Sequence, residues 1–303
     1  MVKELMDQIR VVRSPAKINV HLEVGARQQN GYHELCSLML MADFCDTLTV
    51  RLDLHGEGFS LTSYPDILPE ENTLSHAWNL FSKAAGVRGS CAIALEKSIP
   101  PGSGLAGGSG NAAALLSVLN NLYGFPLPAA DLIELAGLVG SDVPFFLSAP
   151  ACLVRGVGDV LTPLEVDKVY QIVIVLPSIE ISTQTAYAML DEKRSDPFSW
   201  EYRLTPARCA KAFLTQPPVR WPFFNSFEPV ITGMHPCYDD IRSALKLDQQ
   251  GFAVLTGSGS AMVGIYPESC DLKEIIRTLA GQQHRVVLTK TLAISPFGGY
   301  NVH

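Results

Sequence analysis

The feature that most constrains the fold is a twelve-residue run, Pro100-Pro101-Gly102-Ser103-Gly104-Leu105-Ala106-Gly107-Gly108-Ser109-Gly110-Asn111. It leads without a break into residues 111–123, which are apolar on most faces and stop at Gly124. A helix apolar nearly all round has no face for solvent, so other elements must pack around it. The five glycines ahead of it let the backbone curl, with successive N–H groups facing one concavity. The helix adds its own unpaired amides and the positive end of its dipole, which makes a polyphosphate the natural guest. A plain glycine-rich connector is the competing reading of the loop taken alone.

The familiar phosphate loops do not fit. A Walker A loop needs lysine where Gly108 stands. Gly102, Gly104 and Gly107 spell G-x-G-x-x-G. Two prolines nevertheless separate the preceding strand from this loop, and its helix leads to another helix, so the dinucleotide-binding context is missing. Protein-kinase signatures and a G-x-S-x-G elbow are absent as well. The loop is a phosphate loop of another type.

Elsewhere the periodicities alternate irregularly. Residues 17–24 (KINVHLEV) set Ile18, Val20, Leu22 and Val24 on one face and Lys17, Asn19, His21 and Glu23 on the other. That pattern predicts a half-buried strand, with Lys17 and Asn19 side by side on its outer face. Such a lysine is ordinarily just solvated. Strands are also predicted over 47–52, 91–95, 151–155, 170–176, 252–256, 261–266 and 285–292. Asn72 can cap a helix running to Ala85, with Leu74, Ala77, Trp78, Phe81 and Ala85 as its apolar stripe and Gly86 ending it. Pro128 opens a helix to residue 139, and 271–280 has helical spacing. Residues 191–222 are polar and proline-rich, and read as a connector with one short helix near 206–214. The irregular alternation indicates an α+β fold, with a boundary near Pro163 dividing residues 1–163 from 164–303.

Composition narrows the function. Of 303 residues, 47% are hydrophobic and 17% charged, which excludes disorder. Lys and Arg number 23 against 30 Asp and Glu, a net charge of −7 that argues against a nucleic-acid partner but permits a small anionic ligand. No run approaches the roughly 20 apolar residues of a membrane span. The start, MVKELMDQIRVVRSP, lacks a secretory core, so a cytoplasmic protein is expected. Seven scattered cysteines without CxxC, and histidines without HxxxH, predict free thiols and no protein-held metal.

Three further segments stand out. Asn30-Gly31-Tyr32-His33-Glu34 is a turn carrying an aromatic ring and an imidazole. Gly140-Ser141-Asp142-Val143-Pro144 carries a lone carboxylate that would ordinarily cap a helix. Thr256-Gly257-Ser258-Gly259-Ser260-Ala261 is a second small-residue loop, either a tight turn or a ligand clamp.

Taken together, SPAKINV, PPGSGLAGGSGNAA and LTGSGSA resemble the three motifs of the GHMP kinase superfamily. NGYHEL, GSDVPFFL, RGVGDVLTPL and NSFEP resemble the branch whose acceptor alcohol carries a cytidine diphosphate. The resemblance runs from about residue 13 to residue 266. It implies a ribosomal-S5-like N-terminal domain and a ferredoxin-like C-terminal domain, with ATP and acceptor meeting between them. It also implies transfer of the ATP γ-phosphate to the acceptor's 2-hydroxyl. Lys17 and Asp142 map onto the catalytic pair. Asn19, Tyr32, His33, Thr183 and Tyr187 map onto the acceptor site, with Tyr32 and Tyr187 sandwiching a cytosine and His33 bonding its edge. Asn72 and Lys97 fall near the nucleotide base. Pro101, Gly102, Ser103, Gly104, Leu105, Ala106, Gly107, Gly108, Ser109, Gly110 and Asn111 surround the phosphates. Mg²⁺ would arrive with ATP, and the chain would act as a monomer or weak homodimer.

Asp142 could then take the hydroxyl proton while Lys17 stabilises charge on the acceptor oxygen. The chain departs from the family's usual G-A-G-L-G-G-G-S-S-N at Ser103, Ala106 and Gly110, and from G-A-D-V-P at Ser141. Ala106 puts a methyl where glycine is usual, and Ser109 is the hydroxyl left near the metal. The alternatives are the same fold acting on homoserine, a mevalonate-type alcohol or a sugar, and a non-catalytic nucleic-acid module on the S5-like fold.

Overall fold

Residues 8–65, 68–179, 181–194, 201–282 and 284–297 are described by the computed structural model. The chain begins with β1 (Gln8–Arg27), β2 (His33–Asp53), β3 (Gly58–Tyr64), α1 (Thr73–Ala85) and β4 (Ser90–Glu96). Three helices follow, α2 (Gly107–Leu122), α3 (Ala129–Val139) and α4 (Val143–Ser148), then β5 (Ala151–Arg155) and β6 (Val160–Pro163). These strands form one sheet in the order β3-β4-β2-β5-β6, with β1 along the other edge of β2. Every pairing is antiparallel except β3 with β4, a parallel pair joined across α1.

The second half contains β7 (Tyr170–Leu176), α5 (Thr183–Lys193), α6 (Pro206–Thr215), α7 (Glu228–Ile231) and α8 (Cys237–Leu245). It ends with β8 (Phe252–Leu255), β9 (Met262–Pro267), α9 (Lys273–Ala280) and β10 (Arg285–Lys290). Its antiparallel sheet has the order β10-β7-β9-β8. Residues past β10 return to the first sheet, where Leu292 N–H donates to Met41 O at 3.0 Å and Phe297 is buried. Among the described residues no helix is long and apolar enough to cross a membrane.

α1 forms where its cap and stripe predict. Asn72 Oδ1 accepts from Leu74 N at 2.9 Å and Ser75 N at 3.2 Å, and Gly86 ends the helix with φ 63°. The cap is worth about 1 kcal/mol. Burial of Leu74, Trp78 and Phe81 gains roughly 1.5–3 kcal/mol each. The stripe therefore holds the helix and the cap decides where it starts.

β1 departs from expectation because it is buried on both faces. Lys17, Asn19, His21 and Glu23 are each 5% exposed or less. Ile18 and Val20 pack in one core with Ile172, Ile174 and Val263, and Leu22 and Val24 join Val173 and Val175 in another. The strand thus packs its apolar row against the second sheet, and residues 224–226 pair along its outer edge through Leu22. Alternation alone reports which residues are polar, not whether a second layer covers them. Here the polar row is covered and bonded internally.

Two helical boundaries also differ. α2 starts at Gly107 inside the glycine run, four residues before the expected Asn111, and its Ala112–Leu116 stretch is wholly buried. Residues 191–222 are more than a connector. They finish α5, contain α6, and bury Leu204, Phe213 and Trp221 in the core shared by the two sheets. Their apolar residues are too irregularly spaced to register as a period. Residues 195–200 of that stretch lie outside the described residues. The sequence pattern marks no element at β3, β6, α5, α7 or α8.

Candidate active site

The phosphate-loop candidate uses its glycines in two ways. Gly102 (φ 66°) and Gly104 (φ 78°) adopt the left-handed backbone that makes the curl. Gly107, Gly108 and Gly110 are helical, and Gly107 and Gly110 allow close approach. A Cβ on Gly107 would lie 2.9 Å from Ile99 Cγ2, and one on Gly110 2.8 Å from both Pro15 O and Ser14 Oγ. The expectation that all five glycines curl the loop is therefore corrected. Position 110 also faces β1, so a hydroxyl there would press on Ser14 before it could reach a metal.

Three other expected phosphate contacts point elsewhere. Leu105 is fully buried in the core, while its carbonyl accepts from Lys17 N at 3.0 Å. The Ser103 hydroxyl donates to Pro100 O at 2.7 Å. Ala106 takes φ 53° and ψ 37°, a left-handed conformation for a residue with a side chain. The steric conflict between Cβ and the carbonyl makes that costly by roughly 1–2 kcal/mol.

The two small-residue loops interlock. Ala261 N–H donates to Ser103 O at 3.1 Å. A Cβ on Gly104 would collide with the Thr256 carbonyl and lie 2.9 Å from Gly259 O. A Cβ on Gly257 would lie 2.8 Å from Gly104 O. Thr256 Oγ1 in turn accepts from Asn19 N at 2.8 Å. The second loop acts as a clamp that braces the first.

Lys17 lies on the wall facing this loop. Its Nζ donates to Asn19 Oδ1 at 2.6 Å and stands 3.5 Å from Asp142 Oδ2. Asn19 Nδ2 donates to Ser37 Oγ at 2.7 Å, and that hydroxyl donates to His21 O at 2.7 Å. The lysine side chain is only 6% exposed, so its position is set by this chain of bonds. Asp142 precedes α4 but makes no capping bond, so the cap reading does not hold. Its carboxylate is one-third exposed and opens onto the cleft.

Behind the loop, Asp46 is completely buried and accepts four hydrogen bonds. The donors are Lys97 Nζ (2.6 Å), Ser98 N (2.7 Å), Ile99 N (2.8 Å) and Asn111 Nδ2 (2.9 Å). Lys97 and Asn111 are thus anchored while facing the cleft, and Asn111 Oδ1 is buried without a partner. Asn72 also lines the cleft, but its amide is engaged in the α1 cap and with Pro69 O and Glu70 O. It shapes the wall and offers no free amide to a base.

At the opposite end His33 Nε2 bonds Asp191 Oδ1 at 2.8 Å, and its ring lies 4.9 Å from that of Tyr187. Tyr187 also meets Phe227 edge-on at 4.8 Å. Burial, with the Asp142 carboxylate adding to it, pushes the Tyr187 phenol up to about 12, so it stays neutral. Tyr32 is 65% exposed at the mouth, and the ring against Tyr187 is that of His33. His33 Nε2 is already committed, which leaves Nδ1 and the main chain to meet a ligand edge. Thr183 Oγ1 lies 3.0 Å from Ser258 Oγ, tying α5 to the clamp loop.

Of the site residues expected from sequence, all except Leu105 and Gly110 line one cleft of about 1030 Å³. Asp46, Asp191 and Phe227 are the important neighbours that site reasoning from sequence missed. Phe227 stood inside the quoted NSFEP, whereas lone aspartates in a strand and at the edge of an apparent connector carry no signal.

A glycine loop opening a buried helix, a clamp loop braced against it and a lysine–carboxylate pair between them define a GHMP kinase. The family model for the GHMP kinases N terminal domain matches residues 72–149. The chain is 37% identical over 274 residues to 4-diphosphocytidyl-2-C-methyl-D-erythritol kinase of Treponema pallidum, covering 89% of this chain and 94% of that protein. A crystal structure of 4-(cytidine 5'-diphospho)-2C-methyl-D-erythritol kinase superposes with a TM-score of 0.76 at 30% identity, covering 93% of this chain and 99% of that one. Homoserine kinase from Cytophaga hutchinsonii superposes with a TM-score of 0.72 at 18% identity, over 95% of each chain, which is a likeness of fold. The chain belongs to the 4-diphosphocytidyl-2-C-methyl-D-erythritol kinase family, and it is an ATP-dependent phosphotransferase.

Proposed function

We propose that the chain transfers the γ-phosphate of ATP to the 2-hydroxyl of 4-diphosphocytidyl-2-C-methyl-D-erythritol, a step of non-mevalonate isoprenoid precursor synthesis. The observation carrying this reading is the Lys17–Asp142 pair at 3.5 Å, with the glycine loop on one side and the Tyr32–His33–Tyr187 group on the other. Phosphoryl transfer needs little covalent help and depends on positioning and charge. The loop amides and the N-terminus of α2 take the ATP phosphates. Asp142 accepts the acceptor's hydroxyl proton, and the Lys17 ammonium stabilises charge building on that oxygen. Asn19 holds Lys17 in place.

The oxygen groups lining the cleft suit magnesium, which favours carboxylates, hydroxyls, waters and phosphates. Ser109 and Glu71 line the cleft and would hold it beside the nucleotide phosphates. Its contribution when bound is to neutralise phosphate charge. The same reading takes residues 1–163 and 164–303 as two domains, with the cleft between them. It places the chain in the cytoplasm as a monomer or weak homodimer with no nucleic-acid partner, in keeping with its net charge of −7 and seven free thiols.

ADP release measured with ATP, Mg²⁺ and a panel of acceptors tests the proposal. Turnover is expected with the cytidylyl acceptor and not with homoserine, mevalonate or simple sugars. Turnover with one of those and none with the cytidylyl compound would overturn it.

A further inference from the structure

The cleft contains three permanent cations among the described residues, and two are committed. Lys97 Nζ lies 2.6 Å from Asp46, and Lys17 is held between Asn19 and Asp142. The third is Arg27, at the end of β1. Its guanidinium has no acidic partner among the described residues. The one hydrogen bond it makes there is from Nε to Gly31 O at 3.4 Å, a long one. Its side chain is exposed and lines the cleft.

Its position is fixed by strand register. Arg27 is the cross-strand partner of His33 in the antiparallel β1–β2 pair. Directly opposed residues project from the same face with Cβ atoms about 5 Å apart, so Arg27 stands beside His33. The 28–32 turn between them is closed by Gln28 N–H to Tyr32 O (2.6 Å) and Gly31 N–H to Gln28 O (2.9 Å). Arg27 therefore belongs to the acceptor end, with Tyr32, His33 and Tyr187, and lies away from the glycine loop.

An acceptor carrying a nucleoside diphosphate brings two negative charges into this end. The acids already there, Asp142 and Asp191, would repel it, and each is already beside a partner, Lys17 and His33. An unpaired guanidinium offers the planar fork of donors that fits phosphate oxygens. We propose that Arg27 binds the diphosphate of the acceptor, so that the cleft selects its acceptor as a nucleoside diphosphate derivative over the bare nucleoside. This rests on the acceptor reading given above, and it names the residue that reads the charged linker.

The test is calorimetric binding of CDP and of cytidine to the whole chain, with a non-hydrolysable ATP analogue saturating the donor site. The unaltered chain is expected to bind CDP at least about tenfold tighter than cytidine, the order of one charge-assisted phosphate contact. Arg27→Gln should bring CDP to the cytidine level and leave cytidine unchanged, and Arg27→Lys should restore part of the preference. The CDP preference of the unaltered chain should also shrink as salt rises. A preference that survives in Arg27→Gln overturns the inference, as does loss of cytidine binding in that variant, which would mean Arg27 merely shapes the turn. Failure of the unaltered chain to bind either compound overturns the acceptor reading itself.

Discussion

The Lys17 ammonium lies 3.5 Å from the Asp142 carboxylate although one sits in the first strand and the other at the turn before α4. Lys17 is fixed by Asn19, whereas Asp142 makes no capping bond, so the carboxylate is free to serve chemistry. Replacing Asp142 with Asn keeps the shape and removes the proton acceptor. We expect kcat to fall by about 10²–10⁴, the range of a lost general base. Melting temperature and CDP affinity should stay as in the unaltered chain. A comparable fall in melting temperature would reveal a structural carboxylate.

Gly104 marks the meeting of the two loops. Its φ of 78° and the carbonyls of Thr256 and Gly259 leave no room for a methyl. Gly104→Ala should lose at least about 1–2 kcal/mol from backbone strain alone. Because the phosphate loop must shift off the clamp, affinity for an ATP analogue should drop more than affinity for CDP. Equal losses for both ligands in a binding titration would show that the interlock does not favour the donor side.

Ala106 predicts the opposite sign. Gly at φ 53° relieves roughly 1–2 kcal/mol of steric conflict, while removing a partly buried methyl costs up to about 0.8 kcal/mol. Ala106→Gly should therefore be neutral to stabilising, raising the melting temperature by about 1–3 °C. A clear fall in calorimetry would mean that the methyl packs more tightly than its partial burial suggests.

These sites show which parts of the molecule were legible beforehand. Asn72, Gly86 and the 74–81 stripe specified α1 because cap and burial act within one helix. The quoted motifs located Lys17, Asp142, Tyr32 and His33, and the structure brings them to one cleft. The burial of the 17–23 polar row was hidden because its cover comes from residues 202–204 and 223–226, far along the chain. Asp46 was equally silent: four donors converge on it from residues 97–99 after β4 and from α2, and no local pattern records that. The glycine run looks like one curl, yet Gly107 and Gly110 serve to let α2 approach Ile99 and Pro15.

The hidden polar row also sets the response to acid. Glu23 is buried and accepts Arg203 N–H at 2.7 Å and Leu204 N–H at 3.1 Å, with His21 Nε2 at 3.7 Å. Burial would raise its carboxyl, but the neighbouring His21 ring and the two main-chain bonds outweigh this and hold it below the usual 4.5. Burial likewise would lower His21, but the Cys36 and Glu23 side chains beside it outweigh this and raise it above 6.5. The lowered carboxyl contributes stability that is present above pH 4.5 and is lost as pH falls through its folded value. The raised imidazole contributes stability that is full below pH 6.5 and is lost as pH rises through its folded value. Glu23→Gln removes the first contribution, weakens the second, and turns an amide donor toward main-chain donors. We expect a loss of about 2–3 kcal/mol at pH 7, the scale of charged hydrogen bonds. Urea unfolding from pH 7 to pH 3.5 should then show a flatter acid limb in the variant. An acid limb as steep as that of the unaltered chain would place the titrating group elsewhere.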